Sequence, residues 1–420
     1  MLDIKFIREN LDIVKAAAVK KKIKVDLDRL VALDDSRRAL MTSIESKKAE
    51  QNRVSDEIAK ASEASVREPL IASMQSVKAA VQAEEEQLKP VLEEWKALML
   101  QVPNIPDMTV PDGESDADNV EVRAWGEQTK FPFVAKDHIE LMLAHKMVDF
   151  ERGAKVHGFR GYYMLGDGAK LMWAIWNYAN DFFGARDFVQ MLPPTIVRKQ
   201  NLYGTGHLPN DADDAFRTQD DDYLIGTSEV SGMGFYSDEV LDKSELPVKF
   251  LAFSPCYRRE AGSHSKDVKG LIRVHEFYKV EQIVLCEASH EESVKWHEEI
   301  TKNTEDFMQS LGIPYRVVLN CGADIGQGQV KKYDIEAWVP KEEKYRETHS
   351  ASYFHDFQTR RFNIRYKDTD GTVRYAHSLN NTAVAAPRIL VSLVENLQQA
   401  DGSIKIPDVL IPYFGKSKIG

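Results

Sequence analysis

The sequence predicts an α+β protein, an antiparallel-sheet domain preceded by an N-terminal antiparallel α-helical coiled-coil arm. Three observations carry that expectation. The stretch Leu27–Leu100 contains no glycine and spaces its apolar residues three and four apart. Six later runs are rich in β-branched and aromatic residues with few helices between them, which favours antiparallel over doubly wound sheets. The G-x-G-x-x-G and G-x-x-x-x-G-K-[ST] loops are absent, so any nucleotide must bind on another scaffold.

At 420 residues the chain exceeds one ordinary core, and two domains are expected. Charged residues make up 29% and hydrophobic ones 43%, the balance of a globular protein. The chain has no apolar run of about 18 residues, and its first residues, MLDIKFIREN, lack a continuous apolar stretch, so neither a membrane span nor a secretory signal is expected. Cys256, Cys286 and Cys321 lie at least 30 residues apart, without metal or disulfide spacing. A reducing cytoplasm fits. The net charge of −11 argues against indiscriminate coating of nucleic acid, including DNA, but leaves room for a local basic surface.

Residues 1–26 read as a short helix and a basic link, Lys20–Lys24. In the arm, Leu30, Leu33, Leu40, Ile44, Val54 and Ile58 keep one register, interrupted by Arg37, Lys47 and Gln51. Leu70, Met74, Val77, Val81, Leu88, Val91, Trp95 and Leu98 continue it, broken once by Glu84. Two helices of about 34 residues joined near Ala61–Val66 would project roughly 50 Å. Lys15–Lys60 carries 12 basic residues against 8 acidic, and Ala61–Leu100 carries 4 against 7. The first helix is thus the better face for a polyanion; a solvated face or a dimerisation coil remains open. Gln101–Glu121, proline-rich and then acidic, reads as a linker. Helices are expected at Asp137–Phe150, Gly168–Phe183 and Thr382–Gln399. Strands are expected near Phe188–Met191, Phe250–Tyr257, Arg273–Leu285, Tyr315–Leu319, Tyr333–Val339 and Gln358–Tyr366.

The most informative stretch is Ser254–Glu281, a long hairpin whose loop, Gly262–Gly270, carries His264, Lys266 and Lys269. On its returning strand Arg273, His275, Phe277, Lys279 and Glu281 share one face, because side chains repeat every second residue. Cation, aromatic plane and anion in a row suit a nucleotide beside an amino acid. An exposed sheet face with cross-strand ion pairs is the alternative.

On these residues the chain resembles bacterial-type seryl-tRNA synthetases, members of the class II aminoacyl-tRNA synthetases. LPPTIVRKQNLYGTGHLP at Leu192–Pro209 resembles motif 1, with Pro194 at the dimer-interface proline. The hairpin resembles motif 2, and Leu379–Gln398, with Arg388, resembles motif 3. The resemblance implies a tRNA-binding domain at 1–100 whose arm spans about 27–100, a linker at 101–121 and a class II catalytic domain at 122–420. It implies a serine--tRNA ligase that uses ATP and Mg²⁺, acts on tRNA(Ser), with tRNA(Sec) a further candidate, and works as a cytoplasmic homodimer.

Residue by residue, Thr227, Ser228 and Glu229 match the segment that holds L-serine, with Glu281 and Thr382 beside it. Arg258 and Arg388 match the arginines at the α- and γ-phosphates. Arg259, Glu260, Val274 and Phe277 match nucleotide contacts, Glu260 reading the adenine amino group and Phe277 stacking on the base. Glu347, Thr348, His349 and Ser350 match the ATP segment, in which Glu347 and Ser350 hold the metal. Lys47, Lys48, Arg53, Lys266 and Lys269 are the expected tRNA contacts. The chain departs from the family at Ser231, His349 and the motif 3 run Asn381, Thr382 and Pro387. A relative that loads a carrier-protein thiol and a non-catalytic dimer are the rival readings; the long arm argues against the first and the retained site residues against the second.

Overall fold

The computed structural model describes residues 1–262, 267 and 269–420, which form two compact units. One comprises Asp3–Val19 and Ile23–Pro103; the other comprises Met1–Leu2, Lys20–Lys22 and Asn104–Gly420.

The first unit begins with two helices, α1 (Ile4–Glu9) and α2 (Leu11–Lys20), where one was expected. Asn10 divides them, its backbone and side-chain N–H groups both donating to Phe6 O. The arm follows as α3 (Leu27–Lys60) and α4 (Ala64–Gln101). Asp26 caps α3 by accepting from Arg29 N at 2.8 Å. Leu30, Leu33, Ile44, Val54, Val81 and Met99 are buried along the seam, the apolar burial that drives helix pairing. Two of the four breaks in the sequence pattern prove to be one contact, Lys47 Nζ lying 2.7 Å from Glu84 Oε1 across the seam. Ser43 Oγ donates to the same oxygen at 3.0 Å. Arg37 lies over the Trp95 ring at 4.9 Å, and Arg29 forks onto Glu94. Polar pairs of this kind set register, since a slipped pairing strands them.

The second unit is built on an eight-stranded sheet. Its strands are β1 (Val120–Trp125), β2 (Val189–Met191), β3 (Val248–Tyr257), β4 (Glu276–Cys286), β5 (Tyr315–Leu319), β6 (Lys331–Val339), β7 (Lys344–His355) and β8 (His377–Ala386). The order is β1-β5-β6-β7-β8-β4-β3-β2, with every pair antiparallel except β2 and β3. Helices α5 (Gly166–Gly184), α8 (His290–Ser310) and α10 (Arg388–Asn396) pack on it, and α6 (Lys199–Thr205), α7 (Glu229–Gly234) and α9 (Phe357–Phe362) lie near its centre. Phe183, Phe307, Tyr315 and Tyr353 are fully buried in the resulting core.

Three expectations change. Gln358–Tyr366 is the helix α9 followed by a short strand, Arg365–Lys367, because Phe357, Phe362 and Gln358 turn inward at helical spacing. Thr382–Gln399 divides, Thr382 belonging to β8 and the helix starting at Arg388. Asp137–Phe150 holds a helix only over His138–Ala144 and then a two-residue strand, Val148–Asp149. β7 escaped the sequence reading because Glu347, Thr348, Ser350 and Ser352 give it little apolar alternation.

The seam contact predicts a measurable coupling. Lys47→Met or Glu84→Leu alone should lower the melting temperature by stranding the opposite charge, while the double variant should recover or exceed wild type. Thermal melts of the four proteins check this, and additive losses would contradict it.

Candidate active site

A cleft of about 270 Å³ opens over β4, β7 and β8 on the face turned away from α8, near the low end of the roughly 300–1,000 Å³ of small-molecule sites. Strand alternation supplies its floor. Phe277, Lys279 and Glu281 of β4 point into it, and so do Asn380 and Thr382 of β8. Irregular pairings interrupt three places at this floor, between Glu347 and His349, between Tyr353 and His355, and between Thr382 and Val384. Bulges of this kind re-aim side chains. At the first of them Glu347 joins the lining out of step with Thr348, Ser350, Ser352 and Phe354, which alternate along β7.

One end of the cleft is acidic and buried. Burial pushes the Glu229 carboxyl up to about 7, opposed by its hydrogen bond from Gln358 and reinforced by the Glu281 charge. Gln358 Nε2 donates to Glu229 Oε1 at 2.6 Å while its own oxygen accepts from Ser378 Oγ. Burial also raises Glu281, against the pull of Lys279, whose Nζ lies 2.7 Å from Glu281 Oε2. Thr382 Oγ1 donates to the same oxygen at 3.4 Å. Two buried carboxylates thus share one buried ammonium, and a small cationic group completes the balance.

The other end suits phosphate and a flat ring. The Arg258 guanidinium lies 5.4 Å from the Phe277 ring centre and reaches Gly226 O at 3.3 Å. Arg388 is tied by Nη1 to Glu347 O at 2.9 Å and by Nε to Ile272 O at 3.1 Å. Glu260, at φ +55°, holds Arg273 Nη1 at 2.5 Å. Arg273 precedes β4 rather than riding on it, which gives it this pairing role.

The cleft therefore gathers Thr227, Glu229, Arg258, Glu260, Val274, Phe277, Glu281, Glu347, Thr348, Ser350, Thr382 and Arg388. It does not gather Ser228, Arg259 or His349. Ser228 is buried against Ser254, Oγ to Oγ at 2.7 Å. Arg259 is fixed through its backbone to Asp214 O. His349 faces the other side of β7 and is fully buried, Nδ1 at 2.8 Å from Thr348 Oγ1. Lys266 and His264 lie outside the described residues, and Lys269 is exposed. In the arm unit, Lys48 pairs with Glu85 and Arg53 with Glu57. His207, Asn380 and Gln358 were not anticipated; His207 and Asn380 sit inside the quoted motif segments, whereas Gln358 carried no signal while its helix was read as a strand.

Two departures from the family pattern have local explanations. Ser231 Oγ donates to Pro194 O at 2.5 Å, tying α7 to the segment before it. Asn381 points away from the cleft and donates to Ile300 O and Thr304 Oγ1 of α8.

Comparison with known proteins agrees with this geometry. Residues 1–106 match the seryl-tRNA synthetase N-terminal domain, and residues 215–397 match the tRNA synthetase class II core domain (G, H, P, S and T). A serine--tRNA ligase of Deinococcus radiodurans is 45% identical over 420 residues, covering 100% of this chain and 99% of its own. One from Geobacter sulfurreducens is 42% identical over 426 residues, covering 100% of both. The crystal structure of seryl-tRNA synthetase from Pyrococcus horikoshii complexed with ATP superposes with a TM-score of 0.91 at 37% identity, covering 100% of this chain and 99% of its own. With both family models matched in order and full-length relatives at this identity, the chain belongs to the seryl-tRNA synthetase family of class II aminoacyl-tRNA synthetases.

Proposed function

We propose that the chain is a serine--tRNA ligase that activates L-serine with ATP and transfers it to the 3′ end of tRNA(Ser). The observation that carries this reading is the adjacency of an anionic buried end and an arginine-aromatic end in one cleft. Glu229 and Glu281 receive the serine ammonium, and Thr382 with Asn380 stands beside them to receive its hydroxyl. A site that hydrogen-bonds a hydroxyl rejects alanine by leaving its own polar groups unpaired. Phe277 stacks on adenine, Glu260 reads its amino group, and Arg258 holds the α-phosphate.

The serine carboxylate then attacks the α-phosphorus, a P–O bond forms to the acyl group, and pyrophosphate leaves. Arg258 and Arg388 hold the phosphates in line and balance charge where it develops. Glu347 and Ser350 are hard oxygen donors at the phosphate end, which fits Mg²⁺ completed by phosphate and water oxygens. When bound, that ion would supply neutralisation of phosphate charge.

A homodimer forms across α5 and the end of β2, where Trp173 and Leu192, 59% and 83% exposed, line an apolar groove. No helix among the described residues is long and apolar enough to cross a membrane, and we place the enzyme in the cytoplasm.

Amino-acid-dependent ATP–pyrophosphate exchange tests the assignment directly. Serine should support exchange and alanine, glycine and threonine should not; silence with serine would overturn the reading. Arg258→Ala should lower exchange by roughly 10²–10³-fold. Lys48→Ala with Arg53→Ala should raise the KM for tRNA severalfold more than it changes exchange, and equal effects on both would remove the arm from tRNA binding.

Glu229 yields a stability prediction of opposite sign to its effect on activity. Its folded pKa of about 7 lies above the ordinary value of 4.5 that it has in the unfolded chain. The stability it contributes is therefore present below about 4.5 and is lost as pH rises through 7. At pH 8 Glu229→Gln should stabilise the fold, by something on the order of 2–3 kcal/mol, while removing serine-dependent exchange. The gain should shrink as pH falls toward 5, which denaturant melts at several pH values would measure.

A further inference from the structure

We propose that His207 accepts the proton of the attacking tRNA hydroxyl in the transfer step, through its Nε2 atom. This rests on the function proposed above and assigns a residue to its second half. His207 follows α6 and lines the cleft together with Thr227, Glu229, Arg258 and Lys279. Those neighbours include Glu229 and Arg258, assigned above to the serine ammonium and the α-phosphate, so His207 shares the part of the lining that serves both.

Its tautomer follows from hydrogen-bond accounting. Thr205 Oγ1 lies 3.2 Å from Asn201 O and 3.3 Å from Leu202 O, carbonyls that can only accept. The same oxygen lies 2.8 Å from His207 Nδ1. A threonine hydroxyl has one proton. If that proton goes to the helix carbonyls, Nδ1–H donates to Oγ1 and two bonds form; the reverse arrangement makes one. The first tautomer leaves the Nε2 lone pair free, and among the described residues no hydrogen-bond partner occupies it. An orienting partner at one ring nitrogen and a free lone pair at the other is the usual construction of a proton-accepting histidine.

The charges nearby keep that lone pair available. Burial, aided by the Arg258 and Lys279 cations, lowers the imidazole to about 4. It is therefore neutral across the physiological range. Once the adenylate forms, its phosphate sits on Arg258 and cancels one of these two cations, making the imidazole more basic when transfer begins.

The step balances without another reagent. The terminal ribose oxygen bonds to the acyl carbon, and its proton passes to Nε2. The bond from the acyl carbon to the phosphate oxygen breaks, and AMP leaves with that electron pair. The imidazolium afterwards returns its proton to water.

The test separates the two steps on the intact enzyme. Seryl-adenylate is formed first, tRNA(Ser) is added, and single-turnover transfer is followed for wild type, His207→Gln and His207→Ala, with pyrophosphate exchange measured alongside. Transfer should fall roughly 10²-fold, exceeding any fall in exchange by at least tenfold. Added imidazole should restore transfer, but not exchange, to His207→Ala. Equal losses in both steps, or a drop in transfer without imidazole rescue, would make His207 a structural residue and overturn the proposal. Retained transfer in both variants would do the same. Absence of serine-dependent exchange in wild type would instead remove the underlying function.

Discussion

The catalytic unit depends on a buried amide clamp behind its floor. Gln282 of β4 and Asn381 of β8 both donate to Ile300 O and Thr304 Oγ1 of α8, and Asn303 donates back to Gln282. All of these groups are shielded from water. Each bond is worth only about 1 kcal/mol net, but an unmade one costs about 1–3 kcal/mol. A one-residue slip of β4 would pull the Gln282 amide off α8 and turn it into the cleft with Val280 and Tyr278, while burying Lys279 and Glu281 against the helix. The clamp thereby holds Phe277, Lys279 and Glu281 on one side, with Asn380 and Thr382 beside them. Asn381, a departure from the family pattern, belongs to this clamp rather than to the substrate.

The same floor explains why α9 lies where it does. Glu229 cannot stay buried on the attraction of Lys279 alone, because Lys279 is already committed to Glu281 at 2.7 Å. Gln358 supplies the missing donor, and Ser378 fixes which way its amide points. The carboxylate is still left near neutrality in its titration. At this end of the cleft two buried carboxylates face one ammonium, Lys279, so a further cationic group there would relieve a tension built into the fold. Specificity and instability share a cause here.

Much of this was legible in the chain. The arm could be read from its spacing, and the strip Phe277, Lys279, Glu281 from the period of two, because in both the apolar residues between the polar ones are held by a packed core. What escaped was governed by the cleft itself. β7 and the start of α10 are polar where the site needs oxygen and guanidinium groups, so periodicity weakened at the functional positions. Arg273 was placed on the strip by alternation alone, but the strand begins at Glu276 and alternation has no force before it. His349 was assigned by adjacency to Thr348 and Ser350, yet both of those line the cleft, and plain alternation sends the residue between them to the opposite face. His207 offered no pattern; only the hydroxyl of Thr205 beside its ring gives it meaning.

The arm shows how an acidic chain can still present cations to RNA. Lys47 and Glu84 are partly enclosed between the helices, and moving Lys47 to a phosphate would strand Glu84. Its place is in the seam. Lys48 and Arg53 are different, with exposed side chains whose partners, Glu85 and Glu57, are themselves open to solvent. Exposed pairs of this kind contribute at most about 1 kcal/mol, so a phosphate can displace the carboxylate at little cost. Each such exchange releases fewer counterions than a bare lysine would, since the lysine already had a neutralising partner. Binding to such a surface gains less from charge alone. Recognition must then come from the fit of a rigid helical hairpin against a folded RNA, which is the contribution that net charge does not measure.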